Sequence, residues 1–199
     1  MDEGARHIGI VLFPDVEELD AIGPWEVLSY WAANFPEDGF DVMCLSRHGG
    51  LVRCGKGLSI LSHHSLADAP DLEVVIYPGG LGIAPQLTDG EALDWVRVQR
   101  SRVPLMTSVC TGSLLYAAAG LLAGRPATTH EGSLAMLAHL DPSIDVRTTE
   151  RFVDDGDVVT SAGVSAGIDM ALHLVARLGS ADHARAVRRG IQYDPMPPV

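Results

Sequence analysis

The chain has 199 residues, 47% of them hydrophobic, and its formal net charge is −12 at pH 7. This length and composition exclude a disordered chain and predict one domain spanning 1–199, while the acidic balance argues against a nucleic-acid partner, which needs clustered Lys and Arg. No apolar run is long enough to span a bilayer and no signal peptide begins the chain, so we expect a cytoplasmic protein without a membrane partner.

The first half of the chain predicts strands, one helix and a small hairpin. In chain order these are strand His7–Phe13, helix Glu18–Trp31, strand Phe40–Arg47, hairpin strands Val52–Cys54 and Leu58–Ile60 around a Gly-rich turn, and strand Leu72–Tyr77. The helix is expected to restart at Pro24, because proline suits a first helical turn. The hairpin follows from two short apolar arms that flank glycines.

The second half alternates helices and strands more regularly. In chain order its elements are helix Gly90–Arg102, strand Pro104–Val109, helix Thr111–Leu122, strand Ala127–Thr129, helix Gly132–Leu140, strands Asp145–Thr149 and Arg151–Ala162, and helices Ser165–Leu178 and Ser180–Gln192. Strand Arg151–Ala162 carries a turn at 154–157 between apolar arms. The prolines of the tail 193–199 exclude a helix there.

Apolar strands that alternate with helices predict a parallel sheet with helices on both faces. Ligands of such sheets bind outside the carboxyl ends of the strands. Three features fall at these ends: the acidic stretch after Phe13, the turn Pro78-Gly79-Gly80, and Cys110. Their convergence predicts a functional site.

Cys110 lies at the junction between a buried strand and a helix of small residues. A thiol there faces the helix N-terminus, whose partial positive charge stabilises a thiolate and lowers the pKa. This is the arrangement of a nucleophile elbow, and it makes Cys110 the candidate nucleophile. The alternative is a core cysteine at a tight turn.

Other residues have candidate roles around this thiol. Gly79 or Gly80, together with the N–H of Thr111, is expected to form an oxyanion hole, although Gly-Gly is also a common turn. The acidic stretch after the first strand offers a proton donor, but spacing does not choose between Glu17, Glu18 and Asp20.

His130 ends the run Thr128-Thr129-His130 and is a possible partner for the cysteine; the alternative is a helix cap or a packing residue. His48, His63 and His64 lack metal-ligand spacing, so no metal site is expected. The three cysteines form no CxxC motif, and Cys44 and Cys54 are expected to be structural.

These residues resemble the ThiJ/PfpI superfamily, with its flavodoxin-like, glutamine-amidotransferase-like fold, and within it the bacterial isocyanide (isonitrile) hydratases. The resemblance covers nearly the whole chain. The matching stretches are Leu12-Phe13-Pro14, Leu19-Asp20, Gly23-Pro24, Pro78-Gly79-Gly80, 107–114, 118–122, Ala127-Thr128-Thr129-His130, 165–169 and the tail from Tyr193 to Pro198.

The resemblance implies a three-layer α/β sandwich with Cys110 as nucleophile and Asp20 as its acidic partner. It also implies substrate-binding roles for Thr111 and for Gly79 or Gly80, a small-molecule substrate, no cofactor, and a homodimer. The protease-like branch has a histidine directly after the cysteine; Thr111 stands there in this chain, which argues against a peptidase. The hydratases usually carry an aromatic residue where this chain has Glu131, so a wall of the substrate pocket differs.

The resemblance therefore predicts hydration of an isonitrile to an N-substituted formamide through a Cys110 thioimidate. Similar elbows also serve other reactions, so fold alone does not fix the chemistry. The alternatives are another cysteine-dependent small-molecule enzyme, of the glyoxalase type, and a non-catalytic ligand-sensing or redox-sensing domain related to AraC-type regulators.

Overall fold

The structure is a computed structural model that describes residue 4 and residues 6–195. This part of the chain forms eleven strands and seven α-helices. They are β1 (Arg6–Leu12), α1 (Glu18–Asn34), β2 (Phe40–Ser46), β3 (Gly50–Arg53), β4 (Ser59–Ser62), β5 (His64–Ser65), β6 (Leu72–Tyr77), α2 (Ile83–Gln86), α3 (Gly90–Arg100), β7 (Leu105–Ser108), α4 (Gly112–Ala118), β8 (Pro126–Ala127), α5 (Leu134–Leu140), β9 (Asp145–Val146), β10 (Phe152–Asp154), β11 (Val158–Ser161), α6 (Ala166–Leu178) and α7 (Ala181–Gly190).

Seven strands form one sheet in the order β10-β11-β7-β6-β1-β2-β5. Neighbouring strands are parallel except β10 and β11, which form an antiparallel pair. Helices α1, α6 and α7 pack on one another, and α4 packs on α2, α3 and α5. The central strands are almost wholly buried between these groups, as expected for a covered parallel sheet. The predicted flavodoxin-like three-layer α/β fold is confirmed.

Helix α1 differs from the sequence prediction because it does not restart at Pro24. It runs unbroken from Glu18 to Asn34 with Pro24 inside it. A proline at this position cannot donate to the carbonyl of Asp20, four residues earlier. Tertiary packing outweighs this loss, since Pro24 is buried close to Gly167 of α6.

Several predicted boundaries are also wrong. The strand expected over Ala127–Thr129 is only β8, because Thr128 and Thr129 leave it to bond with other segments. The strand expected over Asp145–Thr149 shortens to β9. Strand β5 and helix α2 were not predicted, since elements of 2 and 4 residues carry no readable periodicity. Residues 193–195 are not helical, as expected; Met196–Val199 lie outside the described residues.

The hairpin β3–β4 folds back onto the loop that joins β1 to α1. Asp15 N–H donates to the carbonyl of Arg53 at 3.0 Å, and Gly55 N–H donates to the carbonyl of Val16 at 2.9 Å. Val16 also bridges to Gly80, just after β6. The ends of β1 and β6 and the hairpin turn are thereby tied together. Among the described residues, no helix has the length and apolar character needed to cross a membrane.

Candidate active site at the β7–α4 elbow

Cys110 occupies the turn between β7 and α4 with a φ of 57°, in the left-handed region that non-glycine residues seldom adopt. Its N–H donates to the carbonyls of Ser161 and Ala162, each at 3.1 Å. Its carbonyl accepts a hydrogen bond of 2.9 Å from the Thr129 hydroxyl. The strained conformation is therefore fixed by segments that are far away in sequence, which is typical of a functional site.

The sulfur of Cys110 lies in a confined environment, and the residue is only 6% exposed. Burial and the charge of Asp20 raise the pKa of the Cys110 thiol to about 12, and hydrogen bonds from the N–H groups of Thr111 and Val164 lower it by less. From the sequence we expect the helix N-terminus to lower this pKa. That expectation is wrong in sign, because it did not include desolvation.

Asp20 lies in the first turn of α1 and is fully buried. Its Oδ2 accepts the N–H of Gly79 at 2.9 Å, while its Oδ1 is buried and has no hydrogen-bond partner among the described residues. Burial raises the pKa of Asp20 to about 7; the Gly79 hydrogen bond lowers it, the Glu17 charge raises it, and the Cys110 thiol and Lys56 lower it. Asp20 therefore exchanges its proton near neutral pH, beside the thiol.

Gly79 and Gly80 bind the side chains of the site. The N–H of Gly79 donates to Asp20, and the N–H of Gly80 donates to Oγ1 of Thr111 at 3.0 Å. A Cβ on Gly79 would lie 2.5 Å from both the nitrogen and Oγ1 of Thr111. Gly80 has a φ of 126°, and a Cβ there would lie 2.4 Å from the nitrogen of Glu17. Both positions therefore require glycine.

His130 is placed as a cap. Its Nδ1 accepts the N–H of Gly132 at 3.1 Å, and its ring packs against Gly163. The sequence left His130 as either a partner for the cysteine or a helix-capping or packing residue. This hydrogen bond is the one expected of a capping residue. Glu131, the next residue, is exposed.

Two residues of the elbow were missed by sequence reasoning. Val164 directs its N–H at the sulfur and has a φ of 45°, which is unusual for a β-branched residue. Thr129 holds the Cys110 carbonyl. Both belong to segments that reach the elbow only through the fold, so no local pattern marks them.

A large cleft is separate from this thiol. It has a volume of about 910 Å³ and opens beside Phe13, Leu51, Tyr77 and Gly82; neither Cys110 nor Asp20 lines it. The elbow itself combines a buried thiol, a carboxyl group that titrates near neutrality, and a threonine hydroxyl held by a backbone N–H. Such a pair can pass a proton from sulfur to carboxylate while the sulfur attacks an electrophilic carbon.

Comparisons with known proteins identify a family and several similar proteins. The sequence profile of the DJ-1/PfpI family matches residues 6–177. The chain is 39% identical over 194 residues to an isonitrile hydratase of Pseudomonas putida, covering 98% of this chain and 81% of that protein. It is 33% identical over 147 residues to the HTH-type transcriptional regulator GbdR of Pseudomonas aeruginosa, covering 74% of this chain and 38% of the regulator. The crystal structure of a THiJ/PfpI family protein from Pseudomonas syringae superposes with a TM-score of 0.88 at 31% identity, covering 98% and 78% of the two chains.

Proposed function

We propose that this chain, which belongs to the DJ-1/PfpI family, is an isonitrile hydratase-like lyase. It would add water to an isonitrile, R–N≡C, and release an N-substituted formamide. The observation that carries the proposal is the Cys110–Asp20 pair, in which a thiol and a carboxyl group with a pKa of about 7 interact inside the fold. The similarity to a hydratase over nearly the whole chain supports the choice of reaction.

The first step forms a thioimidate. The Cys110 thiol transfers its proton to the Asp20 carboxylate as the sulfur attacks the terminal carbon of the isonitrile. A carbon–sulfur bond forms, and Asp20 delivers the proton to the same carbon, giving Cys110–S–CH=N–R. Oδ1 of Asp20 is the oxygen available for this transfer, because Oδ2 accepts the N–H of Gly79.

The second step hydrolyses the thioimidate. Asp20, again a carboxylate, removes a proton from a water molecule while the oxygen adds to the carbon, and passes that proton to the nitrogen. As the tetrahedral intermediate expels the sulfur, Asp20 takes the proton of the new hydroxyl group, which leaves R–NH–CHO. The departing sulfur recovers its proton from Asp20, so the site returns to its starting state and the steps use no cofactor.

The glycines and Thr111 act in this scheme as positioning and substrate-binding residues. Gly79 fixes the rotamer of Asp20, and Gly80 orients the Thr111 hydroxyl. The N–H of Thr111 interacts with the sulfur and can bind a polar atom that develops on the substrate, while the hydroxyl lies against Gly79 and Gly80.

Restricted access to Cys110 favours an isonitrile as the electrophile. The residue is 6% exposed, so the reacting carbon must reach it through a narrow opening. The terminal carbon of an isonitrile ends a linear two-atom group, whereas an aldehyde or amide carbon carries substituents on three sides. This observation supports hydration over a glyoxalase-type or peptidase reaction.

The test is to incubate the purified protein with an alkyl or aryl isonitrile and to follow the formamide. We expect turnover that Cys110→Ala abolishes, at a cost of several orders of magnitude in rate. Cys44→Ala, which removes another buried thiol, should retain activity. Activity that survives Cys110→Ala would rule out the covalent route.

A second candidate function is ligand sensing without turnover. It is favoured by the 33% identity to a transcriptional regulator. The same assay separates the two: a sensing domain would bind an isonitrile or another electrophile and show no formamide at any enzyme concentration.

The homodimer expected from the family also belongs to this proposal. Large apolar side chains are exposed on the start of α1 and on the hairpin β3–β4: Leu19, Ile22, Leu51, Leu58 and Leu61. Ile22, Leu51 and Leu61 form one patch, because Leu51 pairs with Leu61 across the hairpin and Leu61 lines a small cavity with Ile22. A contiguous apolar patch on both elements is typical of a subunit interface.

A further inference from the structure

The turn of hairpin β3–β4 carries the chain's single lysine, and that lysine contacts the start of α1. Lys56 N–H donates to Oε1 of Glu18 at 2.6 Å. The Lys56 ammonium forms ion pairs with Oε1 of Glu17 and, at 3.7 Å, with Oε2 of Glu18. One cation therefore faces two carboxylates, which themselves are only 22% and 15% exposed.

This ion-pair cluster is joined to Asp20 through Gly79. The N–H of Glu17 donates to the carbonyl of Gly79 at 2.9 Å, and the N–H of Gly79 donates to Oδ2 of Asp20 at 2.9 Å. Glu17 and Asp20 thus hold the same residue, one through the backbone and the other through its carboxylate. Because Glu17 stands three residues before Asp20 and both are bound to Gly79, a change in charge at Glu17 acts on Asp20.

We propose that Glu17 and Lys56 are positioning residues that act on Asp20 as an opposed pair: the Glu17 carboxylate favours a proton on Asp20, and the Lys56 ammonium favours its release. The inference rests on the proposed function only in giving Asp20 a catalytic role. The property that Glu17 and Lys56 set directly is the pH at which Asp20 titrates.

The charges around Asp20 agree with this assignment. The groups that face it are Glu17 and Glu18 from the start of α1, Lys56 from the hairpin, and the Cys110 thiol from the elbow. Glu17 raises the pKa of Asp20, and Lys56 and the thiol lower it. The carboxylate of Glu18 is also paired with Lys56, through the backbone N–H and, at 3.7 Å, the ammonium, whereas the ammonium lies closer to Glu17.

The thiol of Cys54, in the hairpin, carries no charge near neutral pH. Cys54 is buried, and burial together with the charges of Glu18 and Glu17 raises its pKa. Glu17 and Lys56 are therefore the two groups whose removal would change the field at Asp20 in opposite directions.

The experiment measures the titration of Asp20 without any substrate. Carboxyl-¹³C aspartate is incorporated, and the Asp20 resonance is identified by its loss in Asp20→Asn. We expect a midpoint near pH 7 in the parent protein. Glu17→Gln should lower the midpoint by about half a pH unit or more, and Lys56→Gln should raise it by less, because Lys56 is largely solvated.

Matched variants separate electrostatics from structural disturbance. Lys56→Arg retains the charge and should restore the parent midpoint, and Glu73→Gln, at the opposite end of β6, should leave it unchanged. Raising the ionic strength should shrink the Lys56→Gln shift, since the ammonium is exposed. Shifts in the same direction for Glu17→Gln and Lys56→Gln, or midpoints equal to that of Glu73→Gln, would overturn the inference. Because no isonitrile is present, either outcome is independent of whether the protein turns one over.

Discussion

At the scale of single residues, the site depends on two buried groups whose protonation is coupled. The Cys110 thiol is neutral in the resting state, since its pKa is raised to about 12, and Asp20 titrates near pH 7. A neutral thiol reacts slowly by itself. The carboxylate beside it supplies the base that the thiol needs, which is why the pair and not the cysteine alone carries the chemistry.

Asp20 should make the stability of the protein depend on pH. Its folded pKa lies above the ordinary value of 3.8, so between about pH 4 and pH 7 the folded state binds more protons than the unfolded state, and the free energy of unfolding falls as pH rises. Asp20→Asn removes this dependence. The variant should therefore gain stability relative to the parent on going from pH 4.5 to pH 8, by roughly 3 kcal/mol.

Urea denaturation at the two pH values measures this difference. The wild-type protein and Asp20→Asn are compared at each pH, so that contributions from all other groups cancel. A stability difference that stays the same at pH 4.5 and pH 8 would show that Asp20 titrates normally in the folded state.

Gly79 should not tolerate a side chain. In Gly79→Ala the new Cβ would meet the backbone and hydroxyl of Thr111 and would lie 3.0 Å from Oδ2 of Asp20. We expect at least a tenfold loss of formamide production and a destabilised fold, because the backbone at Gly79 and at Thr111 must move apart. Gly90→Ala adds the same methyl group into open space at the start of α3 and should change neither quantity. Equal activity of the two variants would contradict this account of the glycine.

At the scale of elements, the elbow is a junction of four segments. Strand β7 and helix α4 provide Cys110, the segment after β11 accepts its N–H, and the segment after β8 donates to its carbonyl. The first pair is consecutive in sequence, and the pattern of a short apolar strand followed by small residues predicted it. The other two segments meet the elbow only in the folded sheet, so Val164 and Thr129 were not predicted.

Thr129→Val tests this junction. The substitution keeps the shape of the side chain and removes the hydroxyl that donates to the buried Cys110 carbonyl. We expect the free energy of unfolding to fall by about 1 kcal/mol, because the carbonyl loses one hydrogen bond and keeps the one from the Ser113 hydroxyl at 3.2 Å. Thr148→Val makes the same change at an exposed position and should have little effect. Chemical denaturation measures the free energy of unfolding of both variants. If Thr129→Val is as stable as Thr148→Val, the Thr129 hydroxyl does not stabilise the elbow.

At the scale of the whole molecule, much of the fold follows from the sequence. The alternation of apolar strands and helices predicted the parallel sheet, and strand β6 begins and ends where expected. What could not be predicted depends on tertiary contacts. Pro24 predicts a helix break, and only its packing near Gly167 explains why the helix continues. The helix N-terminus at Cys110 predicts a thiolate, and only the burial of the thiol shows that its pKa is raised. The choice of Asp20 over Glu17 and Glu18 came from family resemblance, because spacing alone left all three open.

The apolar patch on α1 and the hairpin should make the protein a homodimer. Light scattering after size-exclusion chromatography should give twice the mass of the 21.2 kDa chain. Leu61→Lys places a charge within the patch and should shift the protein to monomer, whereas Met136→Lys, at an exposed position on α5, should not. A parent protein that elutes as a monomer at micromolar concentration would contradict the proposed interface.

The most direct test of the central claim is the mass of the protein during turnover. The enzyme is mixed with an aryl isonitrile, quenched within its first turnover and digested, and the peptide that contains Cys110 is weighed. We predict that this peptide gains the mass of one isonitrile and that the gain disappears as formamide accumulates. Asp20→Asn should greatly slow the formation of this adduct. Formamide produced while the Cys110 peptide keeps its unmodified mass at every time point, and at an equal rate in Cys110→Ala, would contradict this prediction.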